Sequence, residues 1–200
     1  MLQIYHAPGT RSLRPIWLCY ELGLPVEVTT IDFAPAYRNS PEWRAISPGG
    51  KVPALRDGEL IMFESGAMID YILERYAGGK LRPAPGTVES ALHHQWCWFA
   101  EATLIRPLGT NRFARHKGES GEQLVAEAVE KTRGSIAVVE EGLADRDYLL
   151  GDTFGAADIM MGYSLELLAS LKLLDDRYPN ALAYLERLRA REAFKRTLKT

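Results

Sequence analysis

Two short stretches of the chain carry residues suited to holding a small peptide. In Gly50-Lys51-Val52-Pro53-Ala54-Leu55 a proline leads into a strand-prone run. Proline cannot donate to a β-ladder, so it belongs at a strand's first residue or at a sheet edge. A cis Val52–Pro53 bond costs only about 0.5–1 kcal/mol. It would bend the chain and aim the Val52 main-chain groups into a groove, where an extended peptide could pair with them as an added strand. A strand-start proline with no ligand reads the hexapeptide equally well. The second stretch, Glu64-Ser65-Gly66-Ala67, opens a helix. Helix starts offer unpaired N–H groups and a partial positive charge. Ser65 could bind a carboxylate there while Glu64 pairs with an ammonium group, so one amino-acid head would satisfy both. Alternatively, Ser65 only caps its helix. Together the two stretches suit a short peptide with a free amino-acid end.

The elements that must position these residues alternate over the first 77 positions. Leu2 to Tyr5 reads as a buried strand, broken at Ala7-Pro8-Gly9. Ser12 is a plausible N-cap, with Leu13, Ile16, Trp17 and Tyr20 at helical spacing behind it. Gly23 stops that helix and Val26 to Ile31 is strand-like. A polar, proline-bearing loop follows, with a helical turn around Glu42 to Ala45. Asp57-Gly58 then joins two strands as a hairpin turn, its second residue needing positive φ. Ser65 begins a helix with Met68, Ile69, Ile72, Leu73 and Tyr76 on its apolar face. The order is β-α-β-α-β-β-α over residues 1–77. Residues 78–86, rich in glycine and proline, form a linker. Residues 87–200 read as helical throughout, strongest over 91–114, 122–143, 156–171 and 181–188.

Composition narrows the classes of function. The chain has 200 residues, 46% of them hydrophobic and 25% charged, enough to bury a core. A net charge of -2 leaves no broad basic field for nucleic acid. The basic run from Arg187 to Lys199 reads as a solvated helix face. Cys19 and Cys97 form neither a metal-ligand nor a CxxC pattern, which argues against a zinc site and a disulfide scaffold. Cys19 sits in an apolar run and reads as a buried, inert thiol. Neither a signal peptide nor a membrane-spanning stretch is found, so a cytoplasmic protein is expected.

The order of elements, Lys51-Val52-Pro53-Ala54-Leu55 and Glu64-Ser65 resemble the glutathione transferase superfamily, nearest to its beta- and theta-like members. The likeness extends through the linker into the helical half. There Phe99 to Leu104 is similar to the fourth helix of bacterial and fungal members, and Gly151 to Ile159 to their buried capping segment. Gly155 stands where the family usually has Ser or Thr, which removes a side-chain acceptor, and Asp158 is assigned to folding. The resemblance implies a thioredoxin-like N-terminal domain and an all-α C-terminal bundle, with glutathione as co-substrate and no metal. It also implies a homodimer, and conjugation of glutathione to a small hydrophobic electrophile. The cysteinyl backbone of glutathione would pair at Val52, beside cis Pro53. Glu64 and Ser65 would hold its γ-glutamyl end, and Lys51 its glycyl carboxylate.

A cysteine thiol has a pKa of about 8.5, and lowering it by roughly two units needs about 2.7 kcal/mol of thiolate stabilisation. A hydroxyl, a cation and helix-start amides can supply this, and all three occur in Pro8-Gly9-Thr10-Arg11-Ser12-Leu13-Arg14. Aligned on Pro-Gly-x-x-Ser-Leu, the segment resembles the beta class with its cysteine replaced by Arg11. Aligned on Arg14, Thr10 falls where theta-like members carry the activating serine. Arg11 is expected to supply charge and Thr10 or Ser12 the hydroxyl. Tyr5 resembles the tyrosine of other classes only loosely, Arg14 reads as structural, and His6 as incidental. The electrophile pocket is expected between the domains, with Ala7, Leu104, Ile105, Leu108 and Phe113 as candidate walls. Two other readings use the same fold: glutathione-dependent reduction without a protein cysteine, and a non-catalytic protein-binding regulator.

Overall fold

Strand β1 (Leu2–His6) is the spine of the first half, pairing in parallel with β2 (Val26–Thr30) and antiparallel with β3 (Ala54–Asp57). Strand β4 (Leu60–Phe63) completes a four-stranded mixed sheet of order β2-β1-β3-β4. The computed structural model describes residues 1–109 and 118–200. They form two units: residues 1–81 with 189–200, and residues 82–188.

In the first unit, helix α1 (Leu13–Glu21) packs against helix α4 (Ser65–Tyr76). The predicted single turn near residue 42 becomes two short helices, α2 (Pro35–Arg38) and α3 (Pro41–Ile46). Ser40 caps α3 by accepting from the Trp43 amide at 3.2 Å, with Pro41 preset for the first turn. Trp43 is thereby buried against Ala7, Ile31, Val52 and Ala54. The Asp57–Gly58 hairpin is present, with Gly58 at φ 60°. Tyr71 and Tyr76 of α4 both donate to the Asp57 carboxylate, fastening the hairpin to the helix.

The second unit contains helices α5 (Val88–Trp98), α6 (Glu119–Gly142), α7 (Ala156–Ser170) and α8 (Pro179–Arg189). Thr87 caps α5 through the Ser90 amide at 3.1 Å. The helix predicted over 91–114 instead widens into a π-helical segment, Phe99–Leu104. Pro107 has no amide for the carbonyl four residues back, which ends helical pairing there; positions 110–114 lie outside the described residues. Helix α7 is the buried centre, and its Ser164 hydroxyl donates to the Ala100 carbonyl at 3.0 Å.

The two units divide between Leu81 and Arg82, inside the segment 78–86 expected as linker, and residues 189–200 do not stay with the helical half. Helix α9 (Glu192–Thr197) packs on α1 instead. Phe194 meets Trp17 edge-on at 4.5 Å, Arg191 makes a two-pronged ion pair with Glu21 at 2.7 and 2.8 Å, and Arg196 lies 3.9 Å over the Tyr20 ring. The basic run is therefore not only a solvated face: two of its arginines close the first unit. Among the described residues, no helix is long and apolar enough to cross a membrane.

Candidate functional site

The loop between β1 and α1 concentrates hydroxyl groups around one buried imidazole. Side chains alternate along a strand, so His6 falls in phase with buried Leu2 and Ile4 and is itself fully buried. A turn from Ala7 to Thr10 follows, closed by the Thr10 amide on the Ala7 carbonyl at 3.3 Å, with Gly9 at φ 70°. Ser12 occupies the N-cap position of α1, but its side chain makes no capping bond. Its Oγ lies 2.7 Å from His6 Nδ1 and 2.6 Å from Thr10 Oγ1. Thr10 Oγ1 also donates to the Ala7 carbonyl at 2.7 Å. Ser12 is fully buried and Thr10 half-buried, so of the two hydroxyls Thr10 is the one that faces out. Arg11 is exposed beside it.

Burial lowers the His6 pKa from its ordinary 6.5 and so favours the neutral ring. The Thr200 main chain acts in the opposite sense, as an acceptor, and His6 Nε2 does not reach hydrogen-bond geometry with it. Tyr5 alternates to the other face of β1, where its ring packs edge-on against Trp43 at 5.6 Å. The sheet thus separates the Tyr5 side chain from the Thr10–Ser12 pair.

A second wall comes from the segment entering β3. The Val52–Pro53 bond is cis. The β1–β3 ladder ends at Tyr5–Ala54, which leaves the Val52 main chain beyond the last pair and beside the end of β1. Ala7 and Val52 pack in the same buried cluster, so Ala7 is core rather than an open wall. Ser47 holds the approach to Val52: its hydroxyl donates to the Lys51 carbonyl at 2.8 Å and accepts from the Lys51 amide at 3.3 Å. Gly50, at φ 61°, lets the Arg38 carbonyl approach where a Cβ would sit 2.7 Å from it. The Lys51 side chain is exposed.

The third wall is the start of α4. Ser65 is the first helical residue rather than the N-cap, and its nearly buried Oγ accepts from Arg14 Nη1 at 3.2 Å. The N-cap is Glu64, held at φ 75° and ψ 109° with no capping bond from its side chain. Left-handed backbone at a residue with a Cβ costs of order 1–3 kcal/mol, and such strain clusters at binding sites. The first amides of α4 therefore have no side-chain cap, and the Glu64 carboxylate stands exposed next to them.

The remaining wall candidates belong to the second unit. Leu104 and Ile105 are buried in its core, Leu108 is half-buried, and Phe113 lies outside the described residues. The open surface there is an adjacent groove of about 780 Å³ lined by Ala102, Thr103, Arg106, Leu124 and Lys131. Cys19 is fully buried and burial pushes its thiol up to about 12, as an inert core cysteine requires. Sequence reasoning undervalued two residues. Arg14 joins α1 to the head of α4, and His6 backs the hydroxyl pair. Only the strand alternation, which continues one residue past Tyr5, could have signalled His6.

Family profiles described as glutathione S-transferase N-terminal and C-terminal domains match residues 1–74 and 122–187. Glutathione S-transferase F10 of Arabidopsis thaliana is 31% identical, with 98% of this chain and 95% of the relative covered. A probable glutathione S-transferase of Oryza sativa subsp. japonica is 30% identical over 95% of this chain and 91% of its own. Among solved structures, a glutathione transferase homologue from sulfitobacter with bound glutathione superposes with a TM-score of 0.88. It is 27% identical, with 100% of this chain and 97% of that one covered.

Proposed function

The chain belongs to the glutathione S-transferase family, and from that premise we propose that it ionises reduced glutathione and transfers the thiolate to a small hydrophobic electrophile. The observation that carries this reading is the half-buried Thr10 hydroxyl at the start of α1, on the same side of β1 as His6 and next to the end of the strand that Val52 borders. In this reading the Val52 amide and carbonyl pair with the cysteinyl residue beside Pro53. Ser65 and the uncapped α4 amides receive the γ-glutamyl carboxylate, and Glu64 its ammonium. Lys51 meets the glycyl carboxylate. Thr10 then donates to the sulfur, and the exposed Arg11 cation adds favourable charge. Ser12 is too deep to touch the sulfur and serves behind Thr10, while Tyr5 faces the wrong side of the sheet for this work.

With an aryl chloride the bond changes balance simply. The thiolate forms a C–S bond, chloride leaves with the electrons of the C–Cl bond, and the thiol proton has already gone to solvent. Mixed-disulfide chemistry on the protein is disfavoured because Cys19 is buried and Arg11 stands where the beta class carries its cysteine. A cytoplasmic homodimer is part of the proposal; exposed Phe63 and Trp98 are large apolar groups that subunit contact could cover. The test is retention on immobilised glutathione, followed by turnover of a chlorinated nitroaromatic. Retention with turnover is expected, and failure to bind glutathione at all would sink the reading.

A further inference from the structure

The hydroxyl pair and His6 have few protons to share, and the distances allocate them. The Ala7 carbonyl can only accept. Thr10 Oγ1 lies 2.7 Å from it, whereas Ser12 Oγ is at 3.4 Å, so the Thr10 proton points to that carbonyl. The 2.6 Å contact between the hydroxyls must then use the Ser12 proton, donated to Thr10. Ser12 has no proton left for the 2.7 Å contact with His6, so Nδ1 must be the donor. Burial favours the neutral ring, so Nε2 is left without the proton; among the described residues no group reaches it in hydrogen-bond geometry, the nearby Thr200 main-chain acceptor included. The resulting chain runs one way: His6 Nδ1–H to Ser12, Ser12 O–H to Thr10, Thr10 O–H to the Ala7 carbonyl.

We propose that His6 is a positioning residue: its Nδ1–H sets the direction of the Ser12–Thr10 hydrogen bonds so that the exposed Thr10 hydroxyl is held as a donor for the glutathione sulfur. This rests on the functional reading above. When a thiolate arrives, Thr10 exchanges the Ala7 carbonyl for sulfur without any other proton turning round. The opposite tautomer would reverse the chain. Ser12 would donate to Nδ1, Thr10 would donate inward to Ser12, and the outer hydroxyl would present only lone pairs to an anion. Each donor in the correct chain polarises the next, which strengthens the outermost bond.

The tautomer is read directly from imidazole nitrogen chemical shifts in the uniformly labelled wild-type protein, with the His6→Asn spectrum identifying the signal. A neutral ring protonated at Nδ1 is expected; a neutral ring protonated at Nε2 overturns the proposal. The companion measurement is thiolate absorbance of bound glutathione against pH. His6→Leu, which removes the donor, should raise the thiol pKa by about one unit. His6→Asn, whose amide can still donate, should stay near wild type. Glutathione affinity, measured calorimetrically, should change by less than about twofold in both, because His6 touches no part of the ligand. An unchanged thiol pKa in a folded His6→Leu protein overturns the proposal while leaving the transferase reading intact. Absence of glutathione binding in wild type overturns both. Should His6→Leu fail to fold, the wild-type tautomer still decides.

Discussion

Ser65 does not spend its hydroxyl on its own helix. It stands one residue inside α4, takes a hydrogen bond from Arg14, and keeps a proton to donate. A serine that merely capped α4 would sit at position 64 and accept from a helix amide, so the geometry favours ligand duty. Ser65→Ala should weaken glutathione binding about tenfold, equivalent to roughly 1.4 kcal/mol, by removing one charge-assisted bond. Calorimetric titration measures it, and an unchanged Kd would remove Ser65 from the carboxylate site. Ser12 shows the same pattern at the other helix start, its oxygen turned to His6 and Thr10. Both serines were visible in the sequence as helix-start residues. Their actual partners were not, because Arg14 and His6 reach them through the packing of α1 on α4 and the pleat of β1. No local spacing rule records such contacts.

At the scale of elements, periodicity and turn chemistry were informative where neighbours along the chain decide the structure. The first strand, the Asp57–Gly58 hairpin and the apolar stripe of α4 all follow from local preference and all are present. The π-helical segment was not legible: Trp96, Ala100 and Leu104 keep an ordinary helical spacing, yet the wider turn buries Leu104 and Ile105 together. Two wall candidates were lost to the core in this way. Asp158 was legible through its capping segment. Its carboxylate accepts from the Leu149 amide at 3.0 Å, the Gly155 amide at 2.8 Å and the Tyr184 hydroxyl at 2.7 Å, all near the start of α7. Gly155 contributes only backbone, so Asp158 carries the cap. Asp158→Ala should cost about 3–5 kcal/mol by stranding buried donors. Urea unfolding would show it, and a loss under 1 kcal/mol, roughly the size of a surface change, would refute that role.

For the whole molecule, acid should be more damaging than base. His93 is 2% exposed, and burial first, then the neighbouring His94 and Arg82 charges, lowers its pKa from 6.5 to about 4. Above pH 6.5 the ring is neutral whether the chain is folded or not, and contributes no slope. As pH falls from there towards 4, the unfolded chain takes a proton that the folded one refuses, so stability drops. By about pH 4.5 the loss from this one ring is about 2–3 kcal/mol, and His6 acts in the same direction. Urea midpoints compared at neutral pH and about pH 4.5 should converge in His93→Gln relative to wild type. An equal slope in both proteins would refute the assignment.

The return of residues 189–200 to α1 also sets a schedule for biosynthesis. Arg191 and Glu21 are partners 170 positions apart, and Trp17 has no Phe194 against it until translation nears that point. About 110 residues separate Leu81 from Arg191, which ribosomes make in roughly 6–20 s. During that interval the nascent sheet and α1 carry an uncovered aromatic face, a natural foothold for chaperones while the first unit awaits its closing helix.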